Sequence, residues 1–492
     1  MNYISTRSDY SCNSLQAVLQ GLSPDGGLFV SPEILSKEFD WKSVIGLSTM
    51  QMAEKILSHL LPDFQDMETL VRKAYTNKFE TEDLTPLVKV GDDYVLELFR
   101  GPTSAFKDVA LSMLPQLITA AKKQTGAEEE TVILTATSGD TGKAAMEGFH
   151  DVEGTRIIVF YPHGGVSPIQ KAQMETQEGN NVKVCAVRGN FDDCQTAVKQ
   201  AFEQINKMPQ LKEAKKSLSS ANSINIGRLA PQVVYYFKAY SDLVAQGRIK
   251  LGDEIDFVVP SGNFGDILAG YFAKCMGLPV RHLVCASNEN KVLTDFLTTG
   301  IYDKKRPFYK TSSPSMDILV SSNLERLLFL ACGCKPTMVQ NWMEELKNQG
   351  IFKVDDITLE NIQKTFKAYC CTEDQTISTI KDIYNNKNYL CDPHTAVGMK
   401  AAKDYKNSPD YKEGVPVVVL STASPYKFPA AVSKALGLPL EGDEYQQIAA
   451  INKKTGVPLP KNLSSIQSKS VLHNTVIDRD KIIDYVLEVL EI

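Results

Sequence analysis

At 492 residues the chain is too long for one typical hydrophobic core, and its formal net charge of −6 gives no electrostatic reason to bind nucleic acid or an anionic membrane. Apolar residues make up 43% and charged residues 23%, ordinary proportions for a soluble globular protein, and no apolar run approaches the roughly 18 residues needed to cross a bilayer. The ten cysteines include no C-x-x-C pair and the six histidines no H-x-x-x-H spacing, so no metal site is expected.

The opening "MNYISTRSDYSCN" lacks the charged-then-apolar pattern of a signal peptide, and free thiols in a reducing cytoplasm are the expected state of the cysteines. The first eighty or so residues read as a helical, loop-rich preface: "LSPDGGLFV" (22–30) is a turn feeding a short strand, and "MQMAEKILSHLL" (50–61) has helical spacing. From about Leu87 the pattern changes. "DYVLELF" (93–99) is a β-run before a helix starting at Asp108, with Ala110, Leu111, Leu114, Leu117 and Ile118 on one face. "TVILTAT" (131–137) precedes a helix from Lys143, and "RIIVFYP" (156–162) precedes one with Ser167 as N-cap, Pro168 at the first position and Gln170 at the third. "IDFVVP" (255–260) and "VPVVVL" (415–420) complete a set of buried strands. Short continuous apolar strands alternating with helices predict an α/β protein with parallel sheets covered on both faces.

Ligands of such sheets bind beyond the carboxyl ends of the strands, which directs attention to four loops. In "ILTATSGDTGKAAMEGF" (133–149) the Gly142-Lys143 pair resembles a nucleotide-binding loop, but a Walker motif needs glycine where Thr137 stands and a hydroxyl where Ala144 stands. The helix start still favours an anion, and Lys143 lies at the end where the helix dipole disfavours a cation. "RGPTSAFKDVA" (100–110) places Lys107 similarly, beside Phe106 and Val109, where apolar neighbours favour its neutral, nucleophilic form. "PSGNFGDILAG" (260–270) repeats the S-G-[DN]-x-G pattern, with Asp266 as a possible helix cap. "VVLSTASPYKF" (418–428) leaves a buried strand at Ser421-Thr422. Singly, each loop reads equally well as a tight turn, a solvated lysine or a hydroxyl bonded to a nearby carbonyl. Together they offer a lysine for an aldehyde, a cup for a phosphate, a hydroxyl for a ring nitrogen and a second anion cup. Pyridoxal phosphate fits the first three, leaving the last for an anionic substrate.

The chain resembles the threonine synthase family of the tryptophan-synthase-like fold, in the longer form found in bacteria and fungi. The resemblance runs nearly end to end, through "YISTR", "GLSPDGGLFV", "FRGPTSAFKD", "TATSGDTGKAA", "NFDDCQTAVK", "SANSINIGRLAPQVVYY", "PSGNFGDILAGY", "SPSMDILVSSNLERLL", "DPHTAVG" and "LSTASPYKFP". It implies an N-terminal domain over 1–82, a cofactor-binding α/β region over 83–430 whose smaller lobe is roughly 108–240, and a C-terminal segment over 431–492. It also implies Lys107 as the Schiff-base lysine, Gly262, Asn263, Phe264, Gly265 and Asp266 as the cofactor-phosphate loop, Thr422 as donor to the pyridine nitrogen, and Asp140 near the ring oxygen. Thr137, Ser138, Gly139 and Thr141 would receive the substrate carboxylate, with Asn225 also at the substrate and Arg228 and Lys143 on its phosphate. Arg100, Asp266 and Ser424 depart from the family's frequent histidine, asparagine and histidine. The implied reaction turns O-phospho-L-homoserine and water into L-threonine and phosphate, in a monomer or homodimer. The alternatives are a phospho-lyase or dehydratase giving 2-oxobutyrate, and a catalytically silent binding protein.

Overall fold

The structure, a computed structural model, describes residues 1–137 and 139–492. The preface is built on strand Tyr3–Ser5, paired antiparallel with Ser11–Cys12 and Phe29–Val30. Its helix Thr49–Leu60 is capped by Ser48, whose hydroxyl accepts from the Gln51 amide, and buries Met52, Ala53, Ile56 and Leu60 at helical spacing.

Beyond it come β1 (Leu87–Val90), β2 (Asp93–Glu97), α1 (Lys107–Thr125), β3 (Glu130–Ala136), α2 (Asp140–Phe149), β4 (Thr155–Pro162), β5 (Val182–Arg188) and β6 (Lys216–Ser219). They are followed by α3 (Ile226–Leu229), β7 (Ile255–Pro260), α4 (Gly265–Cys275), β8 (Val280–Ser287), β9 (Phe366–Cys370), β10 (Val417–Ser421) and β11 (Val476–Asp478). A six-stranded sheet runs β9-β8-β7-β10-β2-β1, parallel except for the β1–β2 pair. A five-stranded, wholly parallel sheet runs β11-β5-β4-β3-β6. The expected α/β class with helix-flanked parallel sheets is the observed one. Its cause is visible in β2, β7 and β10, where every residue is buried.

Two local expectations shift. The helix expected from Lys143 begins three residues earlier, at Asp140, because Gly139 adopts φ 141 and turns the chain sharply out of β3. The helix expected from Asp108 begins at Lys107. The last strand, β11, comes from the C-terminal segment yet pairs with β5 in the smaller sheet. The two helices that open that segment, Pro429–Leu436 and Glu444–Thr455, form a separate apolar cluster with Ile169 and Leu390. Ser167 caps the helix Pro168–Glu175 by accepting from the Gln170 amide. Among the described residues no helix is long and apolar enough to cross a membrane, and no cluster of three metal-ligating side chains occurs.

Candidate active site

Because β10 lies beside β2, the loops leaving these two strands meet. The Leu98 amide donates to the Ser421 carbonyl (2.9 Å), the Phe106 amide to the Thr422 carbonyl (2.8 Å), and the Ser424 amide to the Ser104 carbonyl (3.1 Å). This stitching sets Lys107, the first residue of α1, in the same cleft as Thr422. The cleft has an empty volume of about 630 Å³ counting its mouth. Lys107 is 9% exposed and its ammonium lies 4.7 Å from the Phe106 ring centre. Burial pushes its pKa down, Asp140 opposes that, and Lys427 and Arg228 reinforce it. Ser421 spends its hydroxyl on Thr395 (2.9 Å), whereas the Thr422 hydroxyl, at the cleft wall, bonds to no described residue.

The glycine loop after β7 forms the second wall. The amides of Gly262, Asn263, Phe264 and Gly265 have no acceptor among the described residues, and they precede or open α4, whose dipole adds positive potential. A Cβ on Gly262 would lie 2.6 Å from the Ser315 carbonyl oxygen, so only glycine fits that wall. Phe264, at φ 63, turns its ring into the core against Phe366 (5.5 Å) and offers the cleft only its amide. The left-handed Phe264, not Asp266, is the N-cap of α4. Asp266 is instead the second helical residue, and its carboxylate accepts from the Ser261 hydroxyl (2.6 Å) and the Ile267 amide (2.8 Å). Burial outweighs those bonds and pushes its pKa up to about 6.

The loop after β3 differs from its sequence reading in two respects. The Thr137 hydroxyl faces inward and accepts from the amides of Gly139 (3.0 Å) and Gly142 (2.9 Å), acting as a cap for α2 and not lining the cleft. Lys143 points away from the cleft to Glu147 (3.1 Å) and Gln177; Glu147, one helical turn on, offsets the dipole that an anionic ligand was expected to offset. Thr141 does line the cleft, and the amides of Asp140 and Thr141 have no acceptor among the described residues. Ser138 lies outside the described residues. Asn225 caps α3 through the Gly227 amide (2.8 Å) and donates to the Val18 carbonyl (2.9 Å), so it holds the frame of the site without lining it.

Arg228 on α3 does reach the cleft. It is 4% exposed; Nη1 donates to the Ala221 carbonyl (2.7 Å), and Nε has no acceptor among the described residues. Burial lowers its pKa to about 10 with no carboxylate opposing that shift. A buried guanidinium without a counter-ion is costly unless an anion joins it.

Sequence reasoning missed Lys427, His394, Asn222 and Ser223. Lys427 is enclosed and pairs with Asp140 at 2.6 Å. Burial would push the Asp140 carboxyl up, but Lys427 and then Lys107 override it and hold it well below the usual carboxylate range. His394 lines the cleft; its Nε2 accepts from the Ser315 amide (3.2 Å), which leaves Nδ1 to donate to Asp392 (2.7 Å). Lys427 and His394 stand in the "SPYKF" and "DPHTAVG" runs, where nothing local distinguishes a site residue from a surface one. Of the departures, Arg100 pairs with Glu97 (2.6 Å) and Glu80 (3.2 Å), and Ser424 caps the turn Pro425–Lys427.

The geometry thus places a buried lysine, an unpaired hydroxyl and an amide-lined cup around one cleft, the donor set that pyridoxal phosphate requires. Family models match residues 79–423 (pyridoxal-phosphate dependent enzyme), 2–75 (threonine synthase N terminus) and 395–479 (threonine synthase, C-terminal). The threonine synthase of Saccharomyces cerevisiae is 40% identical over 88% of this chain and 89% of its own. The crystal structure of pyridoxal-phosphate-bound threonine synthase from Brucella melitensis superposes with a TM-score of 0.86 at 37% identity, covering 100% of this chain and 98% of that one. The threonine synthase-like 1 protein of Macaca fascicularis is 37% identical over 95% of this chain, which spans 62% of that relative's length. The chain belongs to the threonine synthase family of pyridoxal-phosphate-dependent enzymes.

Proposed function

We propose that the protein converts O-phospho-L-homoserine and water into L-threonine and phosphate, and the observation that carries this reading is Arg228. Its buried, unpaired guanidinium faces the same cleft as Lys107, which calls for an anionic group on the substrate as well as on the cofactor. Pyridoxal phosphate held there supplies an electron sink for charge developing at the substrate's α carbon.

The protein's own groups divide the remaining work. The amides of Gly262 to Gly265 would hold the cofactor phosphate, and the Thr422 hydroxyl would donate to its ring nitrogen. Being neutral, that hydroxyl would supply a hydrogen bond without a counter-charge for a protonated ring nitrogen. Lys107 would hold the cofactor through its aldehyde and, as a free amine, would accept the proton from the substrate's α carbon and return one there. The amides of Asp140 and Thr141 receive the substrate carboxylate. Arg228 binds the γ phosphate and steadies its charge as it leaves. In this reading Thr137, Asn225 and Lys143 support the loops and do not touch substrate. The ten free cysteines suit a reducing cytoplasm, and a monomer or homodimer is the assembly to test by light scattering.

Incubating the cofactor-loaded protein with O-phospho-L-homoserine and identifying the product tests the reading. Threonine and phosphate are expected; 2-oxobutyrate would make it a lyase of the same fold, and no turnover would make it a binding protein. Arg228→Gln is expected to lose about ten- to a hundredfold in kcat/KM, the worth of a charge-assisted hydrogen bond, while the visible cofactor band is kept. Unchanged kinetics would place the phosphate elsewhere.

A further inference from the structure

Lys427 is an enclosed ammonium that the proposed reaction does not use. It closes the turn Pro425–Lys427 after β10, on the side of the larger sheet, and its Nζ reaches Asp140 Oδ1 (2.6 Å) and the Thr103 carbonyl (3.1 Å). Asp140 is the first residue of α2, which follows β3 of the smaller sheet, so the pair links elements of the two sheets. Gln170 donates to the same carboxylate oxygen (3.1 Å), while Oδ2 has no partner among the described residues. Thr103 lies on the loop that ends at Lys107.

A buried ion pair is poor evidence of stabilisation, because desolvating both charges offsets most of their attraction. Its placement points to another role. The charged groups acting on Lys107 are Asp140 on α2 and Asp266 on α4, which favour its ammonium form, and Lys427 and Arg228, which disfavour it. Asp108, next to Lys107 on α1, is turned to the Thr103 amide (2.8 Å) and hydroxyl. Asp140 is the strongest of the groups holding a proton on Lys107, and Lys427 is the group in direct contact with Asp140.

We propose that Lys427 is a positioning residue for Lys107: by closing an ion pair with Asp140 it denies Lys107 that counter-ion, so that Lys107 stands as a neutral amine able to accept a proton. The inference rests on the reading of Lys107 as the cofactor-bearing base. It gives two neighbouring lysines opposite duties, Lys427 holding the Asp140 carboxylate and Lys107 accepting the proton.

Trace labelling of the cofactor-stripped full chain with acetic anhydride, from neutral to alkaline pH, with peptide mapping, reads the pH midpoint at which Lys107 becomes reactive. Lys427→Met is expected to raise that midpoint by about one unit, labelling Lys107 about tenfold more slowly at neutral pH. Asp140→Asn is expected to lower it, and Lys427→Met made in the Asp140→Asn background to raise it by much less. Lys427→Arg, which keeps the charge, should leave it near the parent value. An unmoved midpoint in Lys427→Met, or an equal shift in both backgrounds, overturns the inference. Should Lys427→Met lose its near-ultraviolet circular dichroism, the Arg and Asn variants decide: a raised midpoint in the first or an unchanged one in the second overturns it. Labelling needs neither cofactor nor substrate, so its failure sinks this inference alone. Borohydride fixation of the cofactor on a lysine other than Lys107 sinks the reading beneath it.

Discussion

At the scale of single residues, the cleft is defined by polar groups that the fold leaves without partners. Thr422 is one: its neighbour Ser421 is satisfied by Thr395, and its own hydroxyl is available to a ring nitrogen. Thr422→Val keeps the shape and removes the donor, at a cost of about 1–3 kcal/mol for the unpaired nitrogen. Weaker cofactor retention or slower turnover is therefore expected, measured by the visible band on dialysis and by kcat; an unchanged variant would make Thr422 a mere strand-end hydroxyl. Asp266 is a second. Its folded pKa, pushed up to about 6 by burial, lies above its ordinary 3.8, so the folded chain binds the extra proton between those values. Stability contributed by this group is thus present at low pH and falls as pH rises towards 6. Asp266→Asn keeps an acceptor for Ser261 and Ile267 without the charge. The cofactor-free variant should melt higher than the parent at pH 8, by up to an order of 3 kcal/mol, and the gap should close by about pH 4. A gap that persists in acid would show that the charge is not its cause.

At the scale of elements, two glycine-containing turns with the same S-G-[DN]-x-G pattern do different work. The cup at Gly262 leaves four amides open, whereas the turn at Gly139 closes two of its amides on Thr137. Thr137→Val should therefore act as loss of a cap, destabilising the chain by about 0.5–2 kcal/mol and lowering the melting temperature. Normal stability with damaged turnover would restore Thr137 to the substrate carboxylate. The strands and the helices behind them were legible, because continuous apolar runs such as "IDFVVP" can be buried only within a sheet covered on both faces. The helix starts were less so. Whether Lys143 faced an anion or Glu147 depended on the rotation of α2, which the left-handed Gly139 sets.

At the scale of the whole molecule, the C-terminal segment ties the two sheets together. Asn462 donates to the Pro102 carbonyl (2.8 Å) and accepts from the Ser104 hydroxyl (3.0 Å), holding the loop that presents Lys107. Farther on, β11 completes the smaller sheet, and the helix Ile482–Leu490 covers Cys185, Val187 and Val198. Ending the chain at His473 should expose that apolar face and leave β5 as an open edge. Self-association in light scattering and a lower melting temperature are expected, while a monodisperse, equally stable product would show the strap to be dispensable.

The sequence by itself determined the α/β class, the cofactor lysine and the two cups as candidates, since glycine pattern, strand-end position and buried apolar runs are local properties of the chain. Only the tertiary structure decided which cation was left without a partner. Lys143 found Glu147 one helical turn away, whereas Arg228 was buried where no described carboxylate reaches it. It also brought Lys427, on the turn after β10 of the larger sheet, against Asp140, at the start of α2 beside the smaller sheet, across 287 positions of chain. Pairings between charges that far apart have no local signature; they are set by how the two sheets and their loops pack together and by the desolvation that makes each enclosed charge take the partner within reach.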